Sequence, residues 1–316
     1  MFSKWRYVYE LYKEKSFTNA SKKLFISQPS LSAAIKNIEN KVGAPLFERT
    51  GHGLELTEVG REYVATAEKF LNIENEFQIK LSDIYNLESG SIVVGGSNYV
   101  ASYILPKIIT GFRSLHPNIS IKLVESNSYN LAQMLLSGEI DIIVDNLDDI
   151  CELTKYPLCS ENIFLCVPKD YKVNEGLEKH QIKPENIRNP IVDLNDVEPV
   201  SINVFKDEQY IFLKEENDMY VRTSKIFKKR NIEPKIIFSV DQLNISYALA
   251  DSGIGLCFIT DTFFKYASYR ENVVLYKIAE EIDKRTLYIA HRNNQYCSNA
   301  MRALIDVAQE VLKMDV

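Results

Sequence analysis

The sequence predicts an α/β protein in three parts: a helical N-terminal module, a long linker helix and a two-lobed α/β body. Three observations support this. Short helix-like patterns stand close together in the first 60 residues, a stretch without proline follows to about residue 87, and strand-like and helix-like segments then alternate. A chain of 316 residues is also too long for one small core. We expect the three parts to span residues 1–60, 61–89 and 90–316.

The apolar runs of the chain are short. They fall far below the about 20 residues that span a bilayer, so we expect no membrane helix. The first residues lead directly into an amphipathic pattern, without the apolar segment and cleavage site of a secretory signal. We therefore expect a cytoplasmic protein.

Charge is distributed unevenly along the chain. The net charge is −6, but residues 1–61 hold ten Lys or Arg and six Asp or Glu, a balance of +4 that leaves −10 for the remainder. A basic module on an acidic body suggests a polyanion as partner of the module. The alternative is a solvated charged surface.

The N-terminal module begins with two amphipathic helices. The first has apolar residues on one helical face at Trp5, Val8, Tyr9 and Tyr12. The second is only two turns long, and we expect Thr18 as its N-cap. Its apolar stripe is Ala20, Leu24 and Phe25.

A third helix follows almost immediately. Ser27 is a suitable N-cap, and Pro29 is tolerated in a first turn, where N–H groups have no intrahelical partner. The spacing of the residues in this helix defines two faces. The apolar face is Leu31, Ile35 and Ile38, and the polar face is Gln28, Ser32 and Lys36.

The tight junction between the second and third helices predicts a DNA-binding helix-turn-helix. Such a junction fixes the crossing angle, so the third helix can lie in a major groove. Gln can pair with adenine, and Lys suits guanine or phosphate. The alternative is a small helical bundle with a polar surface.

A wing follows the third helix. Residues 48–57 read as a hairpin whose turn contains Gly51 and Gly53, with Arg49 and His52 placed to meet phosphate. The candidate DNA-binding residues of the whole module are Thr18, Ser27, Gln28, Pro29, Ser30, Ser32, Lys36, Arg49 and His52.

The linker helix is predicted from Glu58 to about Leu87. Aromatic and apolar residues repeat every seven positions at Tyr63, Phe70, Phe77 and Ile84, and Ile73, Leu81 and Leu87 widen this seam. At 1.5 Å per residue the helix would be about 45 Å long, too long for a small module to cover. A second copy of the chain is the favoured partner. A buried helix within one chain is the alternative.

The body alternates strands and helices, which predicts a parallel sheet with helices on both faces in each of two lobes. The predicted strands are 92–96, 119–124, 140–144, 163–167, 210–213, 236–240, 254–259 and 287–290. The predicted helices are 99–115, 131–136, 218–229, 243–251 and a last one with Met301, Leu304, Ile305, Ala308 and Val311.

Ligands of such sheets bind at the carboxyl ends of the strands, beside helix N-termini. The polar residues at these places are Ser97, Asn98, Tyr99, Ser102, Ser128, Asn146, Asn217 and Gln242. The helix predicted after residue 98 directs the positive end of its dipole towards this edge. This favours an anionic or zwitterionic small molecule over an apolar one. For any single residue, a role as cap or turn residue is the alternative.

An enzyme is the rival class. The four histidines lie far apart with no metal-ligand spacing, and Gly253-Ile254-Gly255 lacks the rest of a dinucleotide fingerprint. We expect no metal, no cofactor and no catalytic residue. A transport-associated solute receptor would suit the body alone, but the N-terminal module and the missing signal peptide argue against it.

The five cysteines have neither metal-ligand nor disulfide spacing, and we interpret them as small core residues. Cys159 with Cys166 as a redox-sensing pair is the alternative. The cysteines are Cys151, Cys159, Cys166, Cys257 and Cys297.

About forty residues in the N-terminal module resemble a known family. The series SFTNASKKLFISQPSLSAAIKNIENKVGAPLFERTGHGLELTEVG is similar to the winged helix-turn-helix of LysR-type transcriptional regulators, including SQPSLS, G-x-P-L-F-E-R-T and L-T-x-x-G. Two positions depart from the family. Ala33 stands where an Arg is common, and the usually basic wing has His52-Gly53 with Glu55.

The body resembles the same family more loosely. ASYILPKIITGFRSLHPNISIKLVE, LLSGEIDIIV and DSGIGLCFI are similar to its effector-binding region, itself similar to periplasmic solute-binding proteins. The resemblance implies a first lobe of residues 90–161 and 268–316 and a second of 162–267. It implies linker helices paired in a homodimer that assembles into a homotetramer. The implied partners are duplex DNA, a small-molecule effector and, as a further candidate, RNA polymerase. Tyr99 replaces a smaller hydroxyl residue and would narrow the pocket.

Overall fold

The computed structural model describes residues 3–51, 53–84, 90–147, 151–188, 194–267, 272–282 and 285–313. The chain divides into two compact units, Met1–Glu88 and Ser89–Val316. The N-terminal unit contains α1 Ser3–Glu14, α2 Phe17–Lys23, α3 Gln28–Val42, β1 Phe47–Thr50, β2 Gly53–Leu56 and α4 Glu58–Ile84.

Helices α1 to α3 enclose the small core of the N-terminal unit. The predicted stripe of α3 is confirmed, because Leu31, Ile35 and Ile38 are all buried. They pack with Val8, Leu11, Ala20, Leu46 and Val64.

The junction between α2 and α3 corrects two predictions. The N-cap of α2 is Ser16, whose Oγ accepts from the N–H of Asn19 at 3.4 Å, and Thr18 lies inside the first turn. Phe25 has a left-handed backbone (φ 55°) and is 95% exposed, so it does not belong to the apolar stripe. The left-handed turn directs its side chain outwards, and Ile26 packs on the core instead.

The hairpin and the start of α4 are held against the core. β1 and β2 pair antiparallel with Thr50 opposite Gly53. The Thr57 hydroxyl donates to the Pro45 carbonyl at 2.7 Å and accepts from the Gly60 N–H at 2.9 Å, which caps α4. A Cβ on Gly60 would lie 2.0 Å from the Leu46 carbonyl oxygen, so only glycine fits there.

The predicted seam of α4 is partly covered within the same chain. Trp5 lies 4.5 Å from Tyr63 and 4.8 Å from Phe70, measured between ring centroids. Further along, Ile73 is 63% and Phe77 57% exposed. Leu87 lies outside the described residues. Of the described helices, none is both long enough and apolar enough to cross a bilayer.

The body contains ten strands, seven α-helices and a π-helical turn, Val100–Ile104, among the residues described. The strands are β3 Gly90–Gly96, β4 Ile119–Glu125, β5 Ile142–Asn146, β6 Leu153–Glu161, β7 Ile163–Pro168, β8 Gln209–Leu213, β9 Lys235–Val240, β10 Cys257–Thr260, β11 Val273–Tyr276 and β12 Arg285–Arg292. The helices are α5 Leu105–Leu115, α6 Ser128–Ser137, α7 Glu185–Arg188, α8 Asp218–Lys229, α9 Leu243–Asp251, α10 Asp261–Tyr266 and α11 Asn299–Lys313.

The sheet of the first lobe is mixed, not parallel as predicted. Its order is β4-β3-β5-β12-β6. β3 runs parallel to β4 and β5, whereas β12 runs antiparallel to β5 and β6. The strand that returns from the second lobe therefore enters the sheet in the opposite direction.

The second lobe also departs from a simple parallel sheet. β10, β7 and β11 form an antiparallel sheet, β8 and β9 form a parallel pair, and a bridge between Tyr210 and Leu256 joins the two. β11 pairs with β7, so residues 273–276 lie in the second lobe and not in the first, where the resemblance placed them. Buried apolar side chains from both lobes form one continuous core.

Candidate functional site

Helix α3 has the cap that the sequence predicted. The Ser27 Oγ accepts from the Ser30 N–H at 3.2 Å, and the two hydroxyls lie 2.7 Å apart. Pro29 occupies the first turn. Because both hydroxyls take part in this cap, Ser27 and Ser30 help to fix where the helix begins.

The polar face of α3 is open to solvent. Gln28, Ser32 and Lys36 are all exposed on the side away from the buried stripe. Each residue lies about one helical turn from the next, so the three side chains project in one direction. In the wing, Arg49 lies opposite Leu54 in the hairpin. The side chain of Arg49 and the whole of His52 lie outside the described residues.

The body contains a small cavity of about 30 Å³ between its two lobes. Five of the predicted effector-binding residues line it: Ser97, Tyr99, Ser128, Asn217 and Gln242. Residues not predicted complete the wall: Asp145, Leu213, Asp218, Met219, Asp241, Leu243 and Arg285. The cavity lies where the sequence predicted a cleft, at the carboxyl ends of β3 and β5.

Three predicted residues lie outside this wall. Asn98 does not line the cavity, and Ser102 is exposed on the helix that follows β3. Asn146 is buried behind it. Its amide donates to the Thr286 carbonyl at 2.8 Å, and its Oδ1 accepts from Arg222 at 3.5 Å, so it joins strands rather than facing a ligand.

Two of the wall residues also have local roles. The Asn217 Oδ1 accepts from the Met219 N–H at 3.0 Å and caps α8. Ser128 is the first residue of α6, whose N-cap is Asn127. Asn217 therefore both caps α8, which was the alternative role, and lines the cavity.

Three charged residues of the cavity wall, Asp218, Asp241 and Arg285, form ion pairs. Arg285 donates through Nε to Asp218 Oδ2 at 3.0 Å and through Nη1 to Glu161. Arg222 donates to the same Asp218 oxygen at 3.2 Å. Lys214 lies 2.8 Å from Asp241. Sequence reasoning missed these residues because charge alone does not distinguish a cavity wall from a solvated surface.

Asp145 and Tyr99 are the most deeply buried polar side chains of the wall. Asp145 lies near the carboxyl end of β5. The hydroxyl of Ser128 donates to its carboxylate at 2.9 Å. Burial raises the pKa of Asp145, although the charge of Arg285 and hydrogen bonds from Asn146, Ser128 and Ser97 act in the opposite direction. Burial likewise raises the pKa of the Tyr99 phenol.

Two family models match the chain. One describes a bacterial regulatory helix-turn-helix protein of the lysR family and matches residues 2–61. The other describes a LysR substrate binding domain and matches residues 86–313. The chain belongs to the LysR family of transcriptional regulators. LysR regulators bind DNA through the helix-turn-helix, bind small-molecule effectors through the second domain and oligomerise.

Proteins named as transcriptional regulators are similar to this chain over most of its length. An uncharacterised HTH-type transcriptional regulator, YybE of Bacillus subtilis, is 25% identical over 81% of this chain and 80% of its own length. A probable RuBisCO transcriptional regulator of Nostoc sp. is 24% identical over 95% of this chain and 84% of its own length.

Solved LysR structures have the same fold. Full-length OxyR of Pseudomonas aeruginosa has a TM-score of 0.70 at 20% identity, covering 98% of this chain and 97% of that one. Full-length CbnR in complex with its target DNA has a TM-score of 0.64 at 15% identity, covering 98% and 99%. The winged N-terminal unit and the two-lobed body correspond to the helix-turn-helix and substrate binding domains that the two family models match.

Proposed function

We propose that this regulator reads its DNA site with the exposed face of α3 formed by Gln28, Ser32 and Lys36. The observation that carries the proposal is their exposure opposite a buried apolar stripe. Gln28 suits adenine, and Lys36 suits guanine or phosphate. The CbnR structure with target DNA supports a DNA-reading role for this domain in a protein of the same fold.

The test is DNA binding by single variants, on a duplex selected from random sequences. Gln28→Ala should reduce discrimination against mutated sites by about 1–3 kcal/mol, and Lys36→Ala should also lower the salt slope by about one. Lys179→Ala, an exposed lysine of the body, is the control. Unchanged specificity and salt slope in both α3 variants would reject this face as the reader.

We propose that the effector, an anionic or zwitterionic metabolite, binds between the two lobes. Support comes from the cavity, whose wall takes residues from both lobes. A ligand that touches both lobes favours the closed arrangement by its difference in affinity for the two states. A metabolite screen by thermal shift on the full chain tests this. Binding that Ser97→Ala and Tyr99→Ser both leave unaltered would place the effector elsewhere.

We propose that two copies pair through α4 and that pairs associate further through the body. Ile73 and Phe77 offer apolar surface on α4. In the body, Leu123 on β4 and Ile236 and Phe238 on β9 are exposed apolar side chains on strands. A dimer would place two α3 helices against two half-sites of one duplex. The regulator would act in the cytoplasm, with RNA polymerase as a further partner.

A further inference from the structure

The charges of the cavity wall are not balanced. The wall has three carboxylates, Asp145, Asp218 and Asp241, and one guanidinium, Arg285. Arg285 already donates to Asp218 and Glu161, and Asp241 pairs with Lys214. Among the described residues, Asp145 is the wall carboxylate that has no basic side chain within ion-pair distance. The charge of Arg285 acts on Asp145, but its ion pairs are with Asp218 and Glu161, so Asp145 is left without an ion-pair partner of its own.

Asp145 is held in place by neutral groups. Its side chain is 1% exposed. One carboxylate oxygen accepts from the Ser128 hydroxyl at 2.9 Å and the other from the N–H of Asn146 at 2.8 Å. These donors orient the carboxylate, but they do not supply a counter-charge. A buried carboxylate is stabilised strongly by a cation that reaches it, because water screens the attraction very little there.

Tyr99 is a second, independent indication of a ligand. Its side chain lines the same cavity and is 5% exposed. Its hydroxyl makes no hydrogen bond of good geometry among the described residues, although the side chain of Thr262 lies near enough to interact with it. Buried hydroxyl groups rarely remain without a partner. A polar ligand in the cavity would provide one.

The wall suits an ammonium group better than a metal ion. Within the described ranges, no group of three or more His, Cys, Asp or Glu is placed to hold a metal. Divalent cations need several oxygen ligands at short distance. An ammonium group instead has N–H donors that match one carboxylate and the hydroxyls of Ser97 and Ser128 beside it.

We propose that Asp145 binds a protonated amino group of the effector, so that the effector is a compact amine or amino acid. This inference rests on the proposed function, in which a small molecule binds between the lobes. It chooses the zwitterionic class over the purely anionic one. Arg285 does not reverse this preference, because two carboxylates already accept from its guanidinium. The cavity has room for only about two water molecules, so the ligand is compact and enters when the lobes separate.

The test is binding of defined probes to the full-length protein, by thermal shift and then calorimetry. The probes are the standard L-amino acids and putrescine. Each hit is compared with the counterpart that has a hydroxyl in place of the amine, such as L-lactate for L-alanine or 1,4-butanediol for putrescine. Succinate and inorganic phosphate represent anions without an amine. We expect an amine-bearing probe to bind and its counterpart to bind at least about tenfold more weakly.

Asp145→Asn is the decisive variant, and Asp170→Asn, at an exposed carboxylate outside the cavity wall, is its matched control. Asp145→Asn should weaken the amine-bearing probe by about tenfold or more while Asp170→Asn changes it less than about twofold. Asp145→Asn should also reduce the ratio of the affinity for the amine-bearing probe to the affinity for its hydroxyl counterpart. Misfolding would weaken both and cannot produce this change of ratio.

Two results would overturn the inference. One is that no amine-bearing probe binds the parent. The other is that succinate, phosphate or a hydroxyl counterpart binds the parent and Asp145→Asn equally well. The second result would leave the proposed effector function intact, since a ligand would still occupy the cavity. Failure of the proposed effector function would be seen in a different result. In the metabolite screen, neither Ser97→Ala nor Tyr99→Ser would then change the binding of any ligand.

Discussion

Trp5 of α1 stacks on Phe70 of α4, with ring centroids 4.8 Å apart and planes inclined by 19°. The same indole contacts Tyr63 one heptad earlier, and Arg6 lies 3.6 Å from Glu74. The first half of the long helix is thus fastened to the helix-turn-helix of its own chain. The exposed part of the seam begins beyond it, at Ile73 and Phe77.

Removing this contact should loosen the N-terminal unit. We expect Trp5→Ala to lower its free energy of unfolding by about 2 kcal/mol, because two aromatic contacts and the area buried by the indole are lost. Phe25→Ala is the control, since the Phe25 side chain is almost fully exposed and should change stability by less than about 0.5 kcal/mol. Urea unfolding measures both. Equal effects of the two variants would contradict the structural role of Trp5.

Charge on the exposed part of the seam should separate the subunits. The variant Ile73→Glu with Phe77→Glu should raise the dimer dissociation constant about 100-fold or more, because carboxylates would be buried in an apolar interface. Phe70 is avoided, since Trp5 already covers it. Asn75→Glu with Gln78→Glu adds the same charge at other exposed positions of α4. Analytical ultracentrifugation compares them, and a folded seam variant that sediments like the parent would rule out α4 as the dimer helix.

Gly60 should not tolerate a side chain. A Cβ would lie 2.0 Å from the Leu46 carbonyl oxygen, and backbone cannot move aside as a flexible side chain can. We expect Gly60→Ala to destabilise the N-terminal unit by about 1–3 kcal/mol even though alanine favours helix formation. Gly51→Ala, with open space around its Cβ, should be nearly neutral in the same denaturation experiment. An equally neutral Gly60→Ala would show that α4 does not pack so closely on Leu46.

The buried Asp145 should make stability depend on pH. Its pKa in the folded protein is raised above the unfolded value. The folded state therefore holds this proton more tightly, and stability falls as the pH rises from the ordinary carboxyl pKa through the folded one. Asp145→Asn removes this loss. We expect it to be more stable than the parent at neutral pH, with a difference that shrinks in acid.

Thermal unfolding of both proteins across this pH range measures the difference. Asp241→Asn, whose carboxylate is half exposed and paired with Lys214, is the control. A stability difference between parent and Asp145→Asn that stays constant with pH would mean that Asp145 is not a destabilised charge. A more stable variant that has lost its ligand would show that the carboxylate is kept for binding at the expense of stability.

Much of the cavity between the lobes could be located from the sequence, because helices that follow strands place polar residues at one edge of a sheet. Ser97, Tyr99 and Ser128 were found this way. Asp145 directly follows the third strand as predicted, at 140–144, but Asn146 was predicted as the polar residue at its end, and β5 extends through both to Asn146. The carboxylate of Asp141 accepts from the Val93 N–H at 2.8 Å and precedes the strand. Neighbouring side chains of a strand point to opposite faces, so Asp145 lines the cavity and Asn146 does not.

The edge strand β6 shows a second limit. Pro157 argues against a strand in a sequence, since proline cannot donate to a ladder. β6 lies at the edge of its sheet, where a missing donor on the open side costs little, and the pairing with β12 shifts beside Pro157. Edge position is a property of the whole sheet and cannot be seen in nine residues.

The sequence by itself determined the two faces of α3, the heptad repeat of α4 and the α/β class of the body. Each depends on a repeat of 2, 3.6 or 7 residues that the backbone geometry of strands and helices imposes locally. Only the tertiary structure decided three features. β12 runs antiparallel to its neighbours, Trp5 packs on the first half of the α4 seam, and Arg285 forms ion pairs with Glu161 and Asp218. These contacts join residues far apart in the chain, and they form only when the packing of all the intervening elements brings their side chains together.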